Sequence, residues 1–220
     1  MSDKHISIIF DFDNTLVKSH IDFYKMKIHM ARIVKEHGLD FGLEEEIPKK
    51  YTAGNIIDET ANYDSKNNTN LAGQLWDIVE DYEQEGMKNI TIDDEVLAML
   101  ESMKQQGIPM VILTNNSKQP TIDVLDRFSI NKYFELVIAR EDVSRMKPDK
   151  EGIEKILHDL SWNRESVVFI GDSWVDGLAA KNANVRFILF REDKLDPKKY
   201  GIEIWKHLTT MKDLLSAITS

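Results

Sequence analysis

The chain contains no cysteine. That absence excludes disulfides, thiolate metal sites and cysteine nucleophiles together, and it leaves no sign of an oxidising compartment. Positive charge is also scarce, with 28 Lys and Arg against 38 Asp and Glu for a net charge of -10. Binding of nucleic acid through its phosphates, and docking on anionic membranes, both need basic surface, so neither partner is expected. No apolar run reaches the ~18 residues of a membrane span, and Met1 to His5 is too polar to open a signal peptide. The expectation is a soluble, cytoplasmic protein, with its oligomeric state left open.

What is present is a hydrophobic fraction of 42% spread over 220 residues, enough for one core and a smaller appended module. Short apolar runs rich in β-branched residues recur at Ile6 to Phe10, Met110 to Leu113, Leu136 to Ala139, Val167 to Ile170 and Phe187 to Phe190. Runs of this length without strict alternation read as strands buried on both faces, as in a parallel sheet. Helical spacing fills the gaps, for instance Val96, Met99, Leu100 and Met103 before Gly107, and Ile153, Ile156, Leu157 and Leu160. The fold class that follows is α/β, a Rossmann-like parallel sheet core. A last strand at Ile202 to Ile204 and a helix over Leu208 to Ile218 are expected to complete it.

Between Val17 and Asn89 no buried strand is apparent. One helical stripe runs through Phe23, Met26, Met30, Ile33, Val34 and His37 and closes at Gly38; another runs through Leu71, Leu75, Ile78, Val79 and Tyr82 and closes at Gly86. The polar stretch Tyr63 to Asn70 between them reads as a loop. The domain division expected is therefore an α/β core over 1–17 and 90–220, with an inserted α-helical cap domain over 18–89.

In an open parallel sheet, ligands bind outside the carboxyl ends of the strands. The first run ends in Asp11-Phe12-Asp13-Asn14-Thr15, the second in Thr114-Asn115-Asn116-Ser117, and Lys147-Pro148 lies near the third. The fourth ends in Gly171-Asp172-Ser173-Trp174-Val175-Asp176. D-x-D arises by chance about twice in a chain with this much aspartate, so the first motif decides nothing alone. Four successive strand ends carrying carboxylates, hydroxyls, amides and one ammonium do. Asp11, Asp13, Asp172 and Asp176 together demand a cation, and all-oxygen ligands suit Mg2+ rather than zinc. An aspartate kept ionised beside such a cation can attack phosphorus. Asp13 then suits a proton donor to the leaving alcohol and a base for water. Thr114, Asn115 and Lys147 offer donors and positive charge to phosphate oxygens.

These four motifs, in this order, resemble those of the haloacid dehalogenase superfamily of phosphatases, in its phosphoglycolate phosphatase-like branch with a helical insert between the first two motifs. The resemblance implies Asp11 as nucleophile and metal ligand, and Asp13 as general acid/base with its backbone carbonyl on the metal. It also implies Thr114 and Lys147 on phosphate, Asp172 on Mg2+ and Asp176 supporting the metal shell. One departure is Asn14 where that branch has glycine; Asn tolerates positive φ better than most residues. The expected activity is hydrolysis of a small phosphorylated metabolite through an aspartyl-phosphate. Three alternatives stay open: a phosphomutase passing the same intermediate to a sugar hydroxyl, a phosphoprotein phosphatase, and a non-catalytic phosphate-binding regulatory protein.

Overall fold

The computed structural model describes residues 6–191 and 195–219; the polar opening Met1 to His5 lies outside them. Six strands form one sheet: β1 (Ser7–Phe10), β2 (Met110–Leu113), β3 (Leu136–Ile138), β4 (Val167–Gly171), β5 (Arg186–Phe190) and β6 (Lys206–Leu208). Their order is β3-β2-β1-β4-β5-β6 and every pairing is parallel. Strand β1 is central, which is why Ile8, Ile9 and Phe10 are apolar without alternation and wholly buried. The chain winds outward from β1 to β3, returns to β4 and winds the other way, so a topological switch point lies between β1 and β4.

The chain divides into two compact units, residues 1–19 with 90–220 and residues 20–89. The helical unit contains α1 (Phe23–Lys35), α2 (Ile47–Lys50), α3 (Ala53–Asn67) and α4 (Leu71–Met87) around Met26, Met30, Val34, Ile47, Ile56, Leu75 and Val79. Two details depart from the sequence expectation. Helix α3 continues through Tyr63 to Asn67 and stops where Asn68 turns left-handed at φ 54, so the loop is shorter than its polar composition suggests. The polar residues there have structural partners: Asp64 accepts hydrogen bonds from the N–H groups of Leu71 (3.0 Å) and Ala72 (2.8 Å), capping α4 from the preceding helix. Gly86 does not close α4, which runs on to Met87. A Cβ at Gly86 would lie 2.5 Å from the Ile21 backbone nitrogen, and its carbonyl accepts the His20 N–H at 3.1 Å.

The sheet unit adds α5 (Asp94–Gln105), α6 (Lys118–Arg127), α7 (Glu151–Asp159), α8 (Trp174–Asn182), α9 (Pro197–Tyr200) and α10 (Leu214–Thr219). Its core includes Ile9, Val111, Leu113, Ile153, Ile156, Phe169, Phe187 and Leu189. The two passes of the chain beside the insertion are tied together, with Lys18 and Thr91 exchanging backbone hydrogen bonds of 2.8 and 3.2 Å. The final strand falls at Lys206–Leu208, not at Ile202 to Ile204, and the last helix begins at Leu214. Ile202 and Ile204 are apolar because they pack on the core from a loop. The edge strand pairs only with β5, so it needs no apolar run. Among the described residues no helix is long and apolar enough to cross a membrane.

Candidate active site

The sheet register brings three strand ends level. Phe10 is paired with Ile112 on one side and Ile170 on the other. Asp11, Thr114 and Asp172 are thus the first residues, or close to the first, beyond β1, β2 and β4. The Asp11 N–H donates to the Ile170 carbonyl at 2.8 Å, which fixes the exit of β1 against β4. The turn that follows needs a left-handed residue, and Asn14 supplies it at φ 56.

Lys147 lies in the loop between β3 and α7, and its ammonium reaches the end of β1 and the first turn of α8. It donates to Asp11 Oδ1 at 2.5 Å and to Asp176 Oδ1 at 2.7 Å, with all three side chains buried. Asp176 is held from behind by Ser173, whose N–H and hydroxyl donate to its Oδ2 at 3.1 and 2.5 Å. Gly171 makes room for this arrangement, since a Cβ there would meet Asp176 Cγ at 2.5 Å. Thr15 Oγ1 donates to Asp11 Oδ2 at 3.3 Å.

Asn115 was expected among the phosphate contacts. Its side-chain amide has protein partners on the residue that carries the ammonium, accepting from Lys147 N at 3.0 Å and donating to Lys147 O at 2.9 Å. A side-chain amide can accept and donate at once, and here it ties the N–H and the carbonyl on either side of the Cα that carries the ammonium. Thr114 is buried at the β2 end, and its hydroxyl oxygen accepts the Asn116 N–H at 3.1 Å.

The electrostatics are those of a site short of positive charge. Burial, then the charge of Asp176, raises the Asp11 carboxyl well above the usual carboxylate range, against the pull of Lys147. Burial and Asp176 push Asp172 up to about 7. Asp13 is raised by burial, while Ser19 and Asn116 favour its charged form. Burial draws the Lys147 ammonium down, but Asp11 and Asp176 outweigh it and hold its pKa above the ordinary lysine range. Carboxyl oxygens of Asp11, Asp172 and Asp176 lie within 4.8 Å of one another. Three carboxylates facing one ammonium, all with hard oxygen donors, fit a divalent cation such as Mg2+. The Asp13 carboxyl is not in that cluster. Its Oδ2 accepts from Asn116 Nδ2, whereas Oδ1 is buried without a hydrogen-bond partner. Ser19 Oγ also makes no hydrogen bond, although it lies near enough to Asp13 to favour the charged form of that carboxyl.

The sequence motifs therefore name the groups that converge but miss two that hold them, Ser173 and Asn116, and a third, Ser19, that lies beside Asp13. Ser173 is a recognisable N-cap signal, three residues before Asp176. Asn116 sits inside the quoted Thr-Asn-Asn-Ser run, and Ser19 lies just beyond the first motif; neither carries a periodic signal of its own.

The strand order and the switch point define a Rossmann-like α/β fold, with a carboxylate-ammonium centre at its carboxyl edge. Residues 8–190 match the model of the haloacid dehalogenase-like hydrolase family, and the chain belongs to that family. Among its relatives is a protein of Caldanaerobacter subterraneus subsp. tengcongensis named "Putative pyrophosphatase PpaX", 28% identical over 95% of this chain and 96% of that protein. A phosphoglycolate phosphatase of Rhodobacter capsulatus is 30% identical over 53% of this chain and 52% of its own length. A HAD-superfamily hydrolase of Geobacter sulfurreducens shares the fold with a TM-score of 0.60 at 20% identity, over 98% of this chain and 97% of that one.

Proposed function

We propose that the protein is a Mg2+-dependent phosphatase that hydrolyses a small phosphate monoester through an aspartyl-phosphate on Asp11. The observation that carries this reading is the buried Lys147 ammonium bonded to both Asp11 and Asp176, with Asp13 two residues along and one of its carboxyl oxygens uncommitted. The names of the relatives, phosphatase and pyrophosphatase, support the same class.

Asp11 attacks phosphorus as the ester P–O bond breaks, and Asp13 gives its proton to the departing alkoxide. In the second step Asp13 takes a proton from water, which attacks phosphorus, releases phosphate and frees Asp11. Lys147 balances the charge of nucleophile and phosphate, held in place by Asn115. Thr114 offers its hydroxyl to a phosphate oxygen. Asp11, Asp172 and Asp176, with the Asp13 carbonyl, would hold Mg2+, which supplies the charge that lets Asp11 stay ionised near phosphate. Residues 18–89 are read as the cap that selects the substrate, from their insertion between the first two motifs. The cytoplasm is the compartment proposed, in keeping with a chain free of cysteine.

The test is phosphate release from phosphoglycolate, sugar phosphates and pyrophosphate, with and without Mg2+, beside an Asp11→Asn control. Pyrophosphate is included because of the relative's name. Release that needs both metal and Asp11 supports the proposal and ranks its substrates. Isomerisation of a sugar phosphate without phosphate release would mark a mutase, and no turnover by a protein that binds Mg2+ would mark a regulatory phosphate-binding protein.

A further inference from the structure

Asn116 is buried and its backbone is fixed from both sides. Its N–H donates to Thr114 Oγ1 at 3.1 Å, and its carbonyl accepts the Arg140 N–H at 3.0 Å. Only its side chain remains, and that amide donates to Asp13 Oδ2 across 103 residues of sequence. The other carboxyl oxygen, Oδ1, is buried and unpaired. A neutral carboxyl has one O–H and one carbonyl oxygen, and the carbonyl oxygen is the better acceptor for an amide N–H. A proton on Oδ2 would compete with the amide for that oxygen; a proton on Oδ1 would not.

We propose that Asn116 is a positioning residue for proton transfer, fixing Asp13 Oδ2 as acceptor so that Oδ1 carries the transferable proton. This rests on the reading of Asp13 as acid and base. In the first step the O–H bond at Oδ1 breaks, its proton joins the leaving alkoxide oxygen, and the electron pair stays on the Asp13 carboxylate. In the second, Oδ1 accepts the proton of the attacking water. The Asn116 amide holds Oδ2 throughout, so the carboxyl cannot turn and offer the wrong oxygen.

The experiment compares Asn116→Leu and Asn116→Ala with wild type on two probes, p-nitrophenyl phosphate and the alkyl ester of the panel that wild type hydrolyses fastest. An alkoxide needs a proton to leave and p-nitrophenolate does not. With enzyme in excess, so that only the first step is read, misplacing the donor is expected to slow release of the alcohol about 100-fold on the alkyl ester and far less for p-nitrophenolate, with half-saturation by substrate little changed and the thermal midpoint near wild type. Equal losses on both probes would overturn the inference by making Asn116 a structural residue only, and so would the absence of any loss. The leucine variant keeps the branched heavy-atom skeleton of asparagine without its hydrogen-bonding groups, should the alanine variant not fold. Asp13→Asn separates the two levels: if it shows the leaving-group selectivity and the Asn116 variants do not, this inference alone fails. If Asp13→Asn shows none, the reading of Asp13 as acid fails with it.

Discussion

Removing divalent cations should invert the usual dependence of stability on pH between about pH 5.5 and 7.5. A carboxyl whose folded pKa lies above its unfolded value makes the folded state bind more protons, so stability falls as pH rises across the interval. Asp172 moves from an ordinary 3.8 to about 7. Between pH 5.5 and 7 that group alone withdraws about 2 kcal/mol, at roughly 1.4 kcal/mol per pH unit. Asp172 keeps part of its surface in water, so about 2 kcal/mol is an upper figure for it; Asp11 and Asp13 are shifted in the same direction. A domain of this size loses about 2–4 °C of Tm per kcal/mol, giving a fall of about 4–8 °C. Mg2+ binds the deprotonated carboxylates, so its stabilisation should be larger at pH 7.5 than at 5.5, and about 2.7 kcal/mol at a hundredfold excess over Kd. The assay is thermal unfolding followed by tryptophan fluorescence in chelator and in Mg2+. Three of the four tryptophans, Trp162, Trp174 and Trp205, belong to the sheet unit that carries the site. A metal-free Tm that stays level or climbs from pH 5.5 to 7.5, or a Mg2+ shift independent of pH, would refute the reasoning.

Lys147→Met should abolish phosphate release and lower the metal-free stability by about 3–5 kcal/mol, because it strands buried Asp11 and Asp176 without their cation; Mg2+ should restore part of the lost Tm. Asn115→Ala should leave the fold intact and reduce kcat/KM by about 10- to 100-fold through displacement of the Lys147 backbone, read in the same phosphate assay. Gly171→Ala places a Cβ on Asp176, so loss of Mg2+ binding by calorimetry should accompany a stability loss of about 1–3 kcal/mol. Gly86→Ala has no part in the chemistry, yet its Cβ would strike the Ile21 backbone. It should destabilise the helical unit by about 1–3 kcal/mol, seen as earlier loss of helical circular dichroism.

The sheet was legible because its central strands are buried on both faces and leave a continuous apolar run: all five runs read from sequence start within one residue of the strand observed, and Met110–Leu113 coincides with it. The edge escaped that logic. Lys206–Leu208 pairs on one side only and carries no apolar pattern, whereas Ile202 and Ile204 show the right composition for core contacts made from a loop. The end of helix α3 read as loop for a related reason. Its last turn is polar because Tyr63 donates to the His37 carbonyl and Asp64 caps α4, and such tertiary partners do not show in a 3.6-residue period. Gly86 looked like a helix end, but it marks the close approach of another backbone segment.

At the site, legibility followed the kind of interaction. Residues that carry charge at the end of an apolar run announce themselves, because burial of a carboxylate is costly and needs a reason; Asp11, Asp13, Lys147, Asp172 and Asp176 were all named from that conflict. Residues that hold those charges need no such conflict. Asn115 and Asn116 are neutral amides in a polar turn, indistinguishable by composition from any helix entry, and their partners lie 32 and 103 residues away. An amide beside a strand end can serve phosphate, and the Asn115 side chain also pairs with the backbone N–H and carbonyl of Lys147. An amide can act as donor and acceptor at once, so it can lock a backbone or orient a carboxyl without adding charge to a site already crowded with it. That is why the turn after β2 carries two asparagines rather than further acids or bases. Their substitution should disturb the geometry of proton transfer and charge balance while leaving the inventory of charged groups unchanged.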